Sequence, residues 1–528
     1  MNRGGRVGRH ILERRLQAVA LLLGIITETT AIACARPERA AGAASTLTVL
    51  MSGPGGDEHV LGLPYDESAK FLVFLPLTAE SANGEIEPRL AQSWEHSPDY
   101  RVWTVRLRSD IRWHDGVPVT AHDVKFTLDL MKDPHVGWAG ADDYDVRVLD
   151  DTTYRIAYRK RGPGNPLDTW TVYYPKHLLE HLDPSEFANW EFWTRPVGNG
   201  PYRYVRHLPA TLVEVRANRA FYRGAPRIER VVLKFGGQPL AELLSGNVDV
   251  VTGAAEADLL KLAGDHRFRA YSAFPWSALR SLVWNHRLPA FRDRRVRRAL
   301  TLALDRNELL RVLNLPQETP LTDVLYTVGQ FRRRQLPPPL PHDPAEAARL
   351  LEDAGWRDRD GDGIRERDGR PFRFWLLVPS GFGSERAAVY VQSQLRRVGV
   401  SMEIETLEVR ALFARIRRAA FDAVLADVHL RGERGGGSLH FEEDSPIGYV
   451  NPEVASRLRR TRSAFDPAEV DRLYRELWPI FQTDLPVTFL HPLVGTTIAH
   501  RRVRGLASPN RTDPLSDIEA VWLEREPR

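Results

Sequence analysis

The chain has 528 residues, 43% hydrophobic and 27% charged, which is too long for one hydrophobic core and too apolar for a disordered polymer. Its formal net charge is +4, of which +3 comes from five arginines and two glutamates ahead of Cys34. The remainder is nearly neutral, so a nucleic-acid footprint is excluded and two or three packed domains are expected.

The first elements are a leader. Arg3, Arg6, Arg9, Arg14 and Arg15 precede an apolar run from Leu16 to Ile26, and small residues follow through Ser45. A basic segment, a short apolar segment and a small-residue exit predict a secretory signal over residues 1–33. The apolar run is about half of the ~20 residues a membrane-crossing helix needs, so a periplasmic or otherwise extracytoplasmic location is expected. Cys34 is the only cysteine and cannot form an internal disulfide. Its place after Ala31-Ile32-Ala33 resembles a bacterial lipobox, which would make it the lipidated first residue of the mature chain and a membrane anchor. The alternative is a chance cysteine in a discarded signal, because Ala31 stands where leucine is usual.

Residues 45–51 alternate as a first strand. From Glu87 to Phe126 the pattern is strand-like, with Trp94, Trp103 and Trp113 and turns at Ser97-Pro98-Asp99 and His114-Asp115-Gly116. A helix is predicted near Thr120, and Val146 to Tyr158 again reads as short strands. Beyond Asp293 the character changes. Asp293 caps a helix whose Val296, Ala299, Leu300, Ala303 and Leu304 share one face; Asp305 with Glu308, and Asp343 with Glu346, open two more. Phe372–Val378, a helix from Ser384 to Val398, Val400–Ile404, a helix from Val409 to Ala419, and Phe421–Val428 then form βαβαβ. That order calls for a largely parallel sheet with right-handed crossovers, so an α/β lobe follows a β-rich part.

Seven short segments in this order resemble one family. They are Ile86-Glu87-Pro88-Arg89-Leu90-Ala91 with Trp113-His114-Asp115-Gly116, Pro196-Val197-Gly198-Asn199-Gly200-Pro201-Tyr202, Trp284-Asn285 with Phe291-Arg292-Asp293, Asp305-Arg306, Ala354-Gly355-Trp356 with Asp360-Gly361-Asp362-Gly363, Gly448-Tyr449-Val450-Asn451-Pro452, and Asp484-Leu485-Pro486-Val487. On these the chain resembles the bacterial extracellular solute-binding proteins of the peptide and nickel class, subunits of ABC importers. The resemblance implies an α/β, two-lobed periplasmic-binding-protein fold of the large peptide-binding type, with an extra β-rich subdomain in the first lobe. By this mapping 46–66, 197–275 and 492–528 form the first lobe, 67–196 its subdomain and 276–491 the second lobe. It also implies capture of a small-molecule or peptide ligand between closing lobes, permease subunits as partners, a monomer, and no nucleic acid, metal or cofactor.

No catalytic set is legible: there is no Gly-x-Ser-x-Gly, no His-Glu-x-x-His and no thiol beyond Cys34. A binding protein is therefore expected rather than an exported hydrolase; a ligand sensor that shows its closed form to a receptor is the other alternative. Asp358, Asp360 and Asp362 resemble the start of a calcium loop, but Gly369 occupies the twelfth position, so a solvated acidic turn is expected. Expected ligand contacts are Trp276, Arg280, Trp284 and Asn285 at the entry to the second lobe, with Arg431 beyond the last strand. Peptide-binding relatives hold the peptide's amino terminus with an aspartate there. Arg431 at that place argues against a free ammonium, unless Asp427 or Glu433 takes the aspartate's role. Arg332 to Pro341 reads as a solvated, extended linker.

Overall fold

The computed structural model describes residues 46–51, 67–81, 86–136, 143–160, 171–208, 211–254, 256–262, 264–273, 278–326, 330, 335–380, 384–429, 441, 445–506 and 515–524. Residues 1–45, which hold the expected leader and Cys34, and Trp276, Arg431 and Glu433 lie outside these. β1 (Thr46–Met51) and α1 (Glu67–Val73) come first. Next are β2 (Ala91–His96), β3 (Val102–Leu107), α2 (Ala121–Leu130), β4 (Asp143–Asp150) and β5 (Thr153–Lys160). Then follow β6 (Tyr202–Leu208), β7 (Leu212–Ala217), β8 (Arg230–Phe235), β9 (Val250–Val251) and β10 (Phe268–Ala273). β11 (Ala278–Trp284) leads into α3 (Arg294–Leu302), α4 (Arg306–Val312) and α5 (Pro344–Asp353). The βαβαβ run is β12 (Arg373–Pro379), α6 (Ser384–Arg397), β13 (Ser401–Leu407), α7 (Val409–Arg417) and β14 (Ala423–His429). Helices α8 (Pro452–Ser463) and α9 (Pro467–Asp484) precede β15 (Val487–Pro492) and β16 (Gly495–His500).

Three larger sheets result. A seven-stranded sheet has the order β10-β16-β9-β1-β8-β7-β6, a four-stranded one β2-β3-β5-β4, and a five-stranded one β13-β12-β14-β11-β15. The chain passes between the seven- and five-stranded sheets twice, from β10 to β11 and from β15 back to β16. At the second passage the Leu493 N–H donates to the Ala278 carbonyl at 3.0 Å, tying the two crossings together.

The helix starts follow from their caps. Asp293, Asp305 and Asp343 each accept a backbone N–H of the first turn at 2.9 Å, and Thr120 with Asp123 forms the capping box of α2. Gly355 and Gly399 end α5 and α6 in the left-handed region at φ 88° and 83°, which favours glycine. In the βαβαβ run β12 is parallel to β13 along its length and to β14 at Leu376↔Ala423, while β11 is antiparallel to β14 and β15. Leu376, Val378, Ala423 and Leu425 pack into one core, and their neighbours Leu377 and Val424 into another. Since alternate strand residues face opposite sides, this sheet is buried on both faces.

The seven- and four-stranded sheets share one core, which holds Leu47, Val49, Val105, Tyr154 and Val213. Their junction explains the Gly198-Asn199-Gly200 motif. The Asn199 and Gly200 N–H groups both donate to the Val73 carbonyl at the end of α1, at 3.0 and 2.8 Å. A Cβ on Gly198 would sit 2.0 Å from that oxygen, so only glycine allows the approach. His114 closes the knot: it accepts the Gly198 N–H at Nδ1 and donates from Nε2 to the Gly200 carbonyl.

The stretch expected as a solvated linker is not free where it is described. Leu336 packs against the core, and Leu340 is held on both sides, its N–H by Asp323 and its carbonyl by Arg306. Among the described residues no helix is long and apolar enough to cross a membrane.

Candidate functional site at the edge of the five-stranded sheet

Strands β12, β13, β14 and β15 run the same way, so their carboxyl ends meet the start of β11 along one edge. Both crossings leave from that edge. In open α/β sheets the crevice outside the carboxyl ends of the strands is where ligands bind.

Arg280 stands two residues into β11, opposite Asp427 of β14 and beside His491 of β15. Its side chain is only 9% exposed. Nε donates to Asp427 Oδ1 at 2.6 Å, Nη1 to Ser384 Oγ at the first residue of α6 at 2.6 Å, and Nη2 to Asp427 Oδ2 at 3.5 Å. A guanidinium has five N–H groups, so donors remain. Asp427, 30% exposed, is the open side of the pair. His491 is buried and donates from Nδ1 to the Pro492 carbonyl at 2.8 Å. Burial first, and then the Arg280 charge, push its pKa down to about 4, so it is neutral near pH 7. The edge thus carries a compensated charge pair and a neutral imidazole. That can orient a polar solute; it offers no activated nucleophile.

Trp284 and Asn285 do not join this site. Trp284 lies at the far end of β11, six residues from its start and so roughly 20 Å from the edge. It is fully buried, stacked on Phe291 at 5.1 Å, with Nε1 donating to Thr488 Oγ1. Asn285 donates from Nδ2 to the Phe421 and Ala419 carbonyls and accepts the Arg287 N–H, which ties β11 to the loop before β14. Expected as ligand contacts, both are core residues, because β11 runs inward from the edge. Asp427, Ser384 and His491 surround Arg280 instead. Asp427 carried a signal, a lone acid in the apolar run Ala423 to Val428, where a charge needs a partner. Ser384, the first residue of α6, spends its hydroxyl on Arg280.

Elsewhere, Asp358, Asp360 and Glu366 bring carboxylate oxygens within 4.8 Å of one another. Asp358 accepts the Gly361 and Gly363 N–H groups, Asp360 that of Asp362 and Glu366 that of Arg359. The acids thereby build their own turn.

Residues 85–432 match the family described as Bacterial extracellular solute-binding proteins, family 5 Middle. The chain is 25% identical over 473 residues to the oligopeptide-binding protein AppA of Bacillus subtilis strain 168, covering 86% of each. It is 26% identical over 469 residues to the nickel-binding periplasmic protein of Escherichia coli K12, covering 82% of this chain and 86% of that one. The crystal structure of NikZ from Campylobacter jejuni in complex with Ni(L-His) superposes with a TM-score of 0.70 at 22% identity, over 91% of this chain and 99% of that one. The fold is therefore the two-lobed, α/β periplasmic-binding-protein fold with a β-rich insertion, and the chain belongs to the bacterial extracellular solute-binding proteins of family 5.

Proposed function

We propose that the chain is the extracytoplasmic binding subunit of an ABC importer, which takes a peptide or a related small solute between two lobes and performs no chemistry on it. Residues 46–66, 197–275 and 492–528 form one lobe, 67–196 its subdomain and 276–491 the other. Residues 1–33 are an export signal, Cys34 a lipid anchor, and the working unit is a monomer that docks on permease subunits. The observation that carries this reading is the Arg280–Asp427 pair on the sheet edge from which both crossings leave. A solute seated there touches the second lobe directly and meets the first only when rotation about the crossings brings it over. Its differential affinity for the closed form then shifts the population.

The same pair bears on the solute's chemistry. Asp427 is already compensated by a guanidinium at 2.6 Å, so a second cation gains little from it. The solute is therefore held by its carbonyl or carboxylate groups at the remaining Arg280 donors, and not by a free amine. Calorimetry with di- to pentapeptides and their N-acetylated forms tests this. Micromolar binding that acetylation changes less than about threefold is expected. An amine-dependent site would lose about 2–5 kcal/mol on acetylation, more than tenfold in affinity, and that result would overturn the reading.

A further inference from the structure

The two crossings are the covalent links between the five-stranded sheet and the rest of the molecule, so a non-covalent contact away from them can bias how the two regions sit. One such contact is aromatic. Phe465 occupies the corner between α8 and α9, helices that pack with the five-stranded sheet, yet its ring lies against the core shared by the other two sheets. It meets Tyr158 of β5 at 6.1 Å between centroids, tilted by 59°. The Arg101 guanidinium, just ahead of β3, sits over the same ring at 5.1 Å.

The corner is capped on both sides. Ala464 closes α8 through its N–H to the Arg460 carbonyl at 2.8 Å, and Asp466 caps α9 by accepting the Ala468 N–H at 2.8 Å. Phe465 is thus presented between two caps. On the other side Tyr158 is nearly buried, and its N–H donates to the Arg101 carbonyl, which sets the Arg101 backbone beside the ring while its side chain stays half exposed.

We propose that the arrangement in which Phe465 seats between Tyr158 and Arg101 of the β-rich subdomain is the closed form, and that Phe465 is a latch, an apolar plug on the second lobe that favours it before any solute arrives. The inference rests on the two lobes moving as the binding function requires. The latch raises the closed fraction of the empty protein, and apparent affinity for any solute rises with that fraction. An aromatic pair with one cation over the ring is worth roughly 3- to 10-fold in a two-state equilibrium.

The experiment reads the lobes directly, without solute. Spin labels are placed at Val117→Cys and Val389→Cys, both on exposed side chains, in a Cys34→Ala background, and their distance distribution is measured by pulsed electron spin resonance. Phe465→Ala is expected to move population from the closed to an open distance by 3- to 10-fold. Arg101→Ala, which disturbs neither helix cap, is expected to do so by a smaller factor. Phe465→Trp keeps an aromatic plug and is expected to hold the closed distance. Unchanged distributions in both alanine variants would overturn the latch. Because no solute is present, failure of the peptide titration leaves this result unaffected, and the reverse is equally true.

Discussion

The two regions of this molecule bury their sheets differently. The five-stranded sheet is covered on both faces, and two of its neighbouring strands read as unbroken buried runs: every residue of the inner strand β11 and of the edge strand β15 is buried. The seven-stranded sheet has strands that alternate, as in β1, and shares its main core with the four-stranded sheet. In the first setting a polar side chain has nowhere to go but to a partner, and each one marks a designed contact. In the second, most polar residues face water, and the buried acids Asp249 and Glu214 pair with arginines that remain partly exposed.

The largest effect should come from breaking a fully buried pair in the doubly covered region. Arg306 and Asp323 are 3% and 1% exposed and bonded at 2.6 Å. Asp323→Ala strands a guanidinium in the core and should cost about 3–5 kcal/mol in chemical denaturation. In the seven-stranded sheet Asp249 pairs with Arg502, which is 21% exposed and can turn to water. Asp249→Ala should cost roughly 1–3 kcal/mol, the loss of hydrogen bonds rather than of charge balance. Equal costs would remove the contrast between the regions.

Acid should separate them next. His286 and His491 belong to the five-stranded region, and burial lowers the pKa of each to about 4. His114, at the junction of the other two sheets, is lowered to about 4 by the same cause. An unfolded histidine titrates near 6.5, so between pH 6.5 and 4 the unfolded chain binds more protons than the folded one. Stability from these groups is fully present above pH 6.5 and is lost as pH falls toward 4, by up to about 3 kcal/mol for each histidine. Hydrogen exchange at pH 7 and pH 4.5 should show residues 278–492 loosening more than 202–273. Equal loosening would mean that the histidines are not what distinguishes the regions.

The sequence made the five-stranded region legible because capping and periodicity are local. Asp293, Asp305, Asp343, Gly355 and Gly399 sit where their side chains or φ values predict, and βαβαβ implied the parallel pairing found for β12, β13 and β14. The site was less legible because it depends on register. That Arg280 faces Asp427 across a strand pair 147 residues apart is written in no local pattern. Trp284 and Asn285 are four and five residues beyond Arg280, and from spacing alone nothing says that this distance crosses from the edge to the core. The reason for the glycines of the Gly198–Gly200 motif appears only when the end of α1 is in view, since a Cβ on Gly198 would lie 2.0 Å from the Val73 carbonyl oxygen.

The smallest effect carries the most information about the site. Ser384→Ala removes one short hydrogen bond from a nearly buried guanidinium and should cost about 1 kcal/mol in stability. If Arg280 only braces β11 against α6, solute affinity should stay level or fall with stability. If its free donors face the solute, the N–H released from Ser384 becomes one more donor for a carbonyl or carboxylate, and affinity should rise about two- to fivefold while stability falls. Opposite signs in calorimetry and denaturation separate a binding residue from a structural one. In the seven-stranded region no such reversal is expected, since Arg502, the partner of Asp249, already has a side open to water.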